Sequence, residues 1–175
     1  INLCVAEFRG YGASQGTPTI STTISDAPII FESFIKILRQ EHYTGPIFVM
    51  GRSLGGIPTL EIVHNYQKQI KGLILESSFS SIIRLLLHHG FPIGFLNFKD
   101  AEFPNLSRIR SVTIPTLIIH GEYDTLIPPS EAQALFENSA AKNKHLVIIP
   151  GADHNSIMQV GLEHYFQAIK EFVCP

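Results

Sequence analysis

The ten residues Ile47–Gly56 read IFVMGRSLGG, an apolar run that passes directly into a glycine-rich turn. The first four residues have the length and composition of a buried strand, and the residues after the turn favour a helix. Gly51, Ser53 and Gly55 fit the pattern G-x-S-x-G, which in a strand–turn–helix context lifts a serine hydroxyl clear of a sheet. We predict Ser53 as a nucleophile, with Gly51 and Gly55 small to avoid collision and Gly56 small to let the helix pack closely. The alternative is a glycine-rich turn whose serine is incidental.

Apolar runs of strand length recur along the rest of the chain without strict alternation, a pattern typical of parallel strands covered on both faces. Because helical patterns separate these runs, we predict one α/β domain over residues 1–175, with a mostly parallel sheet and helices on both faces. The further predicted strands are Leu3–Ala6, Gly72–Leu75, Thr116–Ile119 and His145–Ile149. The predicted helices are one capped by Ser25-Asp26 that ends before Gly45-Pro46, Ile57–Gln69, one opened by Ser130-Glu131, and Val160–Val173 with Leu162, Phe166, Ile169 and Phe172 or Val173 buried.

An irregular stretch at about residues 79–108 is predicted as a short insert. Its apolar part, Ile82–Phe98, begins as a helix and continues as a loop rich in glycine and proline. The insert is either a lid or acyl-chain pocket over a site, or a helix that covers the sheet. His88 and His89 lie within it and either line such a pocket or simply form the end of an amphipathic helix, which is the favoured interpretation.

A serine nucleophile needs a base, and the base needs an acid that fixes its tautomer. Asp124 follows the strand Thr116–Ile119 on a loop that begins with Gly121, and His154 lies just past the strand that ends at Ile149. Because carboxyl ends of parallel strands meet at one edge of a sheet, both side chains are expected beside Ser53. We predict Asp124 as the acid and His154 as the base.

Other residues compete for these roles. Glu122 and Glu76 are alternative acids, while Asp153 is interpreted as a cap of its own loop or of the following helix. His120 ends a core strand and is interpreted as a packed residue that supports the acid loop. Four further histidines are predicted on the surface: His42, His64, His145 and His164.

Composition limits the partners. The chain has 175 residues, of which 45% are hydrophobic, and a net charge of −2, so its overall field would not attract nucleic acid or an anionic membrane. Arg84, His88 and His89 interrupt the most apolar segment, which makes it a poor bilayer span. Cys4 and Cys174 are interpreted as free thiols, with a disulfide as the alternative. A cytoplasmic location is the default expectation, since no signal peptide is evident.

Four motifs in order resemble the α/β-hydrolase superfamily, and the likeness covers nearly the whole chain. They are Glu7–Gly16 (EFRGYGASQG), Gly51–Gly56, His120–Asp124 (HGEYD) and Gly151–Asn155 (GADHN). Glu7 stands where the family more often has aspartate. The sequence is most similar to small-lid esterases and thioesterases.

The resemblance implies further features. In the family, three strands and a loop containing His-Gly precede the first of these motifs, and that loop supplies one amide of the oxyanion hole. The residue after the nucleophile, here Leu54, supplies the other. The resemblance therefore identifies the chain as the C-terminal part of such a fold and predicts a preceding segment.

The implied function is hydrolysis of a small-molecule or acylated substrate at an ester, thioester or amide by a Ser-His-Asp acyl-enzyme mechanism. That chemistry requires neither a metal nor an organic cofactor. Two alternatives stay open: a catalytically impaired binding module of the same fold, and a serine peptidase domain of the prolyl-oligopeptidase type.

Overall fold

A computed structural model describes residues 1–91 and 105–174. The chain divides into two compact units, Ile1–Gly45 and Pro46–Pro175.

The first unit consists of an N-terminal loop and the helix α1, Ile20–Gln40. This helix begins earlier than the predicted Ser25-Asp26 cap, because Thr19 forms a capping box with Thr22: each side chain accepts a hydrogen bond from the other residue's amide. Asp26 lies inside the helix instead and binds both Nε and Nη2 of Arg9, at 3.0 and 2.7 Å. The helix ends before Gly45-Pro46, as predicted.

The predicted strand Leu3–Ala6 is wrong: no strand forms there, and the side chains of Leu3 and Val5 are 87% and 79% exposed. A strand is stabilised by hydrogen bonds to a neighbour. The described strands pair only with one another, so Leu3–Ala6 has no such neighbour.

The second unit is built on a four-stranded parallel sheet whose strands lie side by side in chain order, so the fold is the predicted α/β class. Its register aligns Arg52 with Glu76 and Glu76 with Ile119, which brings the carboxyl ends of the strands to one edge. The strands are β1 Phe48–Arg52, β2 Gly72–Glu76, β3 Thr116–Gly121 and β4 Lys144–Ile149.

Helices cover both faces of this sheet. On the face that carries Leu75, the helix α2, Gly56–Tyr66, packs so closely that Gly56 lies against Leu75 and Ser78. On the opposite face, the helix α7, Leu162–Val173, packs Phe172 against Phe48 and Gly72. The described helices of this unit are α2 Gly56–Tyr66, α3 Ile82–His88, α4 Asn105–Ile109, α5 Pro129–Asn138, α6 Ile157–Val160 and α7 Leu162–Val173, with 3₁₀ turns at Ser53–Gly55 and Gln67–Gln69.

The buried face of α7 agrees with the prediction only in part: Ile169, Phe172 and Val173 are partly buried against the core. Leu162 and Phe166 are 54% and 52% exposed, whereas Tyr165 is 4% exposed. Tyr165 packs into the core cluster that includes Ile74, Leu117, Ile119 and Ile149. Its hydroxyl donates a 2.7 Å hydrogen bond to Oε2 of Glu76, so the polar end of this aromatic side chain is satisfied inside the fold.

The insert begins with a helix, as predicted, and α4 is a second helix in the stretch expected to be irregular. Glu131 on α5 holds the start of the insert: its Oε2 accepts hydrogen bonds from the Ser80 amide and hydroxyl and from the Ser81 amide. His89, just after α3, contacts the Leu126 carbonyl at 2.7 Å. The middle of the predicted insert, residues 92–104, lies outside the described residues.

Two further expectations concern membranes and thiols. Every helix in the described part of the chain is too short or too polar to cross a bilayer. Cys4 and Cys174 are both free and exposed, as predicted.

Two adjacent aromatic residues of α7 give a direct test of this packing. We expect Tyr165→Ala to lower the free energy of unfolding by about 3–5 kcal/mol, the range for a buried aromatic ring, because it empties part of the core and removes a partner of Glu76. Phe166→Ala should cost less than about 1.5 kcal/mol, since half of that ring is already in water. Urea denaturation measures both, and equal losses would contradict the observed orientation of α7.

Candidate active site

Ser53 lies in a strained turn at the end of β1. Its φ of +53° is in the left-handed region that side chains other than glycine rarely adopt, at a typical cost of about 1–3 kcal/mol. A Cβ on Gly51 would come within 2.5 Å of both the Gly55 carbonyl and Thr59 Oγ1. A Cβ on Gly56 would lie 1.9 Å from Ser78 Oγ. The predictions that Gly51 and Gly56 must be small are therefore both confirmed.

The expectation for Gly55 is wrong in this structure. Apart from its chain neighbours and the backbone of its own helical turn, no described atom lies within 4 Å of the position that its Cβ would occupy. Gly55 contributes its backbone carbonyl to the crowding around Gly51 instead of needing space for itself.

The structure brings the three sequence-predicted side chains together. His154 Nε2 lies 3.1 Å from Ser53 Oγ, and His154 Nδ1 lies 2.7 Å from Asp124 Oδ2. Asp124 and His154 are 2% and 7% exposed, so the line of hydrogen bonds is largely shielded from water. Ser53 follows β1, Asp124 follows β3 and His154 follows β4, all at the carboxyl edge of the sheet.

The partners of His154 fix its tautomer. An ionised carboxylate only accepts hydrogen bonds, so Nδ1 carries the proton and donates to Asp124. In a neutral imidazole Nε2 then has a free lone pair and accepts from the Ser53 hydroxyl. The arrangement is therefore suited to removing a proton from Ser53.

Asp124 is held as a carboxylate by its neighbours. Burial on its own raises its pKa, but hydrogen bonds from His120, the Ile127 amide and His154 together outweigh burial and lower the pKa of Asp124 below its ordinary value. The Ile127 amide donates to Oδ1 at 2.8 Å, which leaves Oδ2 for His154.

His120 supports the acid loop, as predicted. It is fully buried, and its Nε2 lies 2.8 Å from the Ile127 carbonyl and 3.3 Å from Asp124 Oδ2. Both contacts are acceptors, so Nε2 carries the proton. Its Nδ1 has no hydrogen-bond partner among the described residues, which suits the unprotonated nitrogen of a neutral ring.

The alternative acids lie elsewhere. Glu122 accepts a hydrogen bond from the Gly151 amide, and Glu76 binds Arg52 and Tyr165, so both carboxylates are committed to other groups. Asp153 caps its own loop, as predicted, through the amides of Asn155 and Ser156. Hydrogen bonds from these partners lower the pKa of Asp153.

Sequence reasoning missed Arg52, the residue before Ser53. Its Nη2 donates to the His154 carbonyl at 2.6 Å and to Asn155 Oδ1 at 3.1 Å, and its Nε donates to Glu76 Oε1 at 3.1 Å. One signal was present in the sequence: opposite charges, Arg52 and Glu76, stand at the carboxyl ends of two adjacent predicted strands. The partner on the His154 loop required the structure.

The loops that carry Ser53 and Asp124 also include a backbone donor and exposed apolar side chains. Leu54 is the second residue of the 3₁₀ turn, where amides have no intrahelical acceptor and can donate elsewhere. The side chains of Leu54, Tyr123 and Leu126 belong to the loops that carry Ser53 and Asp124, and each is at least half exposed.

The remaining histidines do not join this line of hydrogen bonds. His42, His64, His145 and His164 are exposed, as predicted. His88 and His89 are exposed at the end of α3. Within residues 1–91 and 105–174, no group of three or more histidine, cysteine or acidic side chains is arranged to hold a metal ion.

The two glycines of the pattern should respond differently to substitution. We expect Gly51→Ala to lower the free energy of unfolding by about 1–3 kcal/mol, because its methyl group collides with backbone. Gly55→Ala is the matched control and should stay within about 0.5 kcal/mol, since its φ of −62° and open surroundings accept a side chain. Chemical denaturation of both variants measures the two changes in the free energy of unfolding. Equal losses of stability would show that the turn is crowded in another way.

The lowered pKa of Asp124 makes a pH prediction. The unfolded protein binds a proton at Asp124 at a higher pH than the folded protein does, so the stability that this carboxylate contributes is present above about pH 4 and is lost below it. Asp124→Asn cannot lose that contribution, so its free energy of unfolding should fall less steeply in acid than that of the wild type. Urea unfolding at a series of acidic pH values measures the two slopes; parallel slopes would be the contrary result.

Comparisons with known proteins agree with this architecture. The model of the family described as serine aminopeptidase, S33, matches residues 1–107 and 104–159. A human relative, alpha/beta hydrolase domain-containing protein 17B, is 31% identical over 174 residues, which cover 98% of this chain and 56% of the relative. The chain therefore spans about half the length of the curated relatives that it matches.

Two solved structures share the fold at low identity. An esterase from Pyrococcus furiosus superposes with a TM-score of 0.71 at 22% identity, covering 95% of this chain and 67% of the esterase. A monoacylglycerol lipase from Paleococcus ferrophilus gives a TM-score of 0.68 at 19% identity, covering 95% and 80%. With its parallel sheet, its strained serine turn and its match to the family model, the chain belongs to the S33 family within the α/β-hydrolase superfamily.

Proposed function

We propose that this chain carries the catalytic centre of a serine hydrolase that cleaves an ester, thioester or amide through an acyl-enzyme intermediate. The observation that carries the proposal is the line of hydrogen bonds from Ser53 through His154 to Asp124. Nucleophile, base and acid in that order, on three separate loops at one sheet edge, form the arrangement that acyl transfer requires.

In the proposed mechanism, Ser53 Oγ attacks the substrate carbonyl carbon while His154 Nε2 takes the hydroxyl proton. Asp124 stabilises the resulting imidazolium without taking its proton. The Leu54 amide donates to the oxyanion of the tetrahedral intermediate. His154 then protonates the leaving group, whose bond to the carbonyl carbon breaks. The acyl group stays bonded to Ser53 Oγ.

Deacylation repeats these steps with water as the nucleophile. His154 takes a proton from water, the hydroxide attacks the acyl carbonyl, and Ser53 leaves with the proton returned by His154. The products are a carboxylic acid and free enzyme, and no metal or organic cofactor enters any step.

An apolar acyl group suits the exposed side chains on the loops that carry Ser53 and Asp124. Leu54, Tyr123 and Leu126 expose apolar area on the loops of the site, and such area is stabilised when a ligand covers it. A short fatty-acid ester is therefore the appropriate first substrate.

Hydrolysis of p-nitrophenyl butyrate by the intact protein tests the proposal. We expect Ser53→Ala to lower kcat by about 10⁶-fold, and Asp124→Asn by about 10⁴-fold because the imidazole loses its tautomer partner. The matched control is Ser77→Ala. Ser77 also has a positive φ, +45°, at the end of an adjacent strand, but its hydroxyl has no hydrogen-bond partner among the described residues.

Ser77→Ala should therefore keep the wild-type kcat. Full activity in Ser53→Ala would contradict the proposal, and so would an equal loss in both serine variants. A folded wild-type protein that hydrolyses no ester would instead favour the binding-module alternative.

A further inference from the structure

Arg52 connects the strand that carries the nucleophile to the loop that carries the base. Its guanidinium group makes three hydrogen bonds, to the His154 carbonyl, the Asn155 side chain and the Glu76 carboxylate. The bond to the His154 carbonyl, at 2.6 Å, spans 102 positions of sequence. Arg52 and Ser53 are adjacent in the chain, so one side chain joins the backbone of the base to the residue beside the nucleophile.

The His154 loop has anchors on two sides. On the acid side, the Tyr123 amide donates to the Ala152 carbonyl at 2.8 Å, and Glu122 accepts from the Gly151 amide at 2.9 Å. These two contacts hold the backbone at Gly151 and Ala152, and Ala152 is two residues before His154. Arg52 holds the base residue itself, from the side of Ser53.

Arg52 is in turn held by a buried carboxylate. Glu76 is 3% exposed and is bound on one oxygen by Arg52 and on the other by the hydroxyl of Tyr165. Burial, together with the hydrogen bond to Glu76, raises the pKa of Tyr165, so its hydroxyl remains a donor. The guanidinium plane is thus fixed at its Nε, which leaves Nη2 aimed at the His154 loop.

The charge of Arg52 is also compensated. An uncompensated cation beside His154 would oppose the imidazolium that forms when the base takes a proton. Because Glu76 pairs with Arg52 at 3.1 Å, the guanidinium holds the loop with little net charge next to the base. A neutral residue in place of Arg52 would leave the Glu76 carboxylate buried without its cation.

We propose that Arg52, oriented by Glu76 and Tyr165, is a positioning residue that sets the distance between Ser53 and His154. This inference rests on the proposed function and goes beyond it, because it assigns the alignment of the base to a side chain outside the three catalytic groups. A displacement of a catalytic group by about 1 Å can cost about 10²-fold in rate.

The test compares kcat and KM for p-nitrophenyl butyrate in the intact protein. We expect Arg52→Ala to lower kcat by about 10²-fold with little change in KM, because alignment and not substrate contact is lost. Arg52→Lys should be intermediate, since an ammonium group cannot match the fork of a guanidinium. The control is Arg9→Ala, which removes another partly exposed arginine from its carboxylate partner, Asp26, and should keep the wild-type kcat.

Chemical rescue separates positioning from a general loss of structure. The Arg52 side chain is 44% exposed, so a guanidinium ion can enter the space left in Arg52→Ala from solvent. Millimolar guanidinium chloride should raise kcat of this variant at least about tenfold over an equal concentration of sodium chloride, and should leave the wild type unchanged.

Three results would overturn the inference: wild-type kcat in Arg52→Ala, a loss confined to KM, or no rescue by guanidinium. If Arg52→Ala does not fold, Arg52→Lys and Asn155→Ala serve instead. Each variant should lower kcat by about tenfold without changing the midpoint temperature of thermal unfolding. Wild-type kcat in both variants would refute the positioning role of Arg52.

Failure of this inference is distinct from failure of the proposed function. If Ser53→Ala is inactive while the Arg52 and Asn155 variants keep full kcat, the hydrolase stands and the positioning role falls. If Ser53→Ala is fully active, the hydrolase proposal itself falls.

Discussion

Parallel pairing of four strands in chain order is the constraint on which the candidate site depends. In such a sheet every strand ends at the same edge, so the residues that follow β1, β3 and β4 meet although they are distant in sequence. The register fixes this edge closely: Arg52 aligns with Glu76, and Glu76 with Ile119. A slip in register would separate Ser53 from Asp124 and His154 before any side chain changed.

The second requirement is that charges buried at this edge are matched. Asp124 receives hydrogen bonds from His154, the Ile127 amide and His120, and Glu76 receives them from Arg52 and Tyr165. Neither carboxylate would be tolerated in the interior alone, since an unpaired buried charge costs several kcal/mol. Asp124 contacts the ring of His154 and Arg52 contacts its carbonyl, so the groups that match these charges also restrict the position of His154.

The sequence predicted the parts of this account that depend on local pattern. The apolar runs gave all four strands of the sheet, and G-x-S-x-G gave a strained serine because its strand and helix neighbours were visible. Three of the failures depend on tertiary contacts. Leu3–Ala6 has a strand's composition but no strand beside it, and Tyr165 is buried in place of Phe166 because Glu76 offers a partner for its hydroxyl. The role of Arg52 was missed because its acceptors on the His154 loop lie about 100 positions away.

The central claim is that Ser53 is activated by His154, and covalent labelling tests it most directly. A fluorophosphonate probe reacts with a serine whose proton is removed by a neighbouring base. After treatment of the folded protein and peptide mapping by mass spectrometry, we expect a single adduct on Ser53, and none when His154 is replaced by alanine. An adduct on another serine, an adduct that persists without His154, or a folded protein that stays unlabelled would contradict the account.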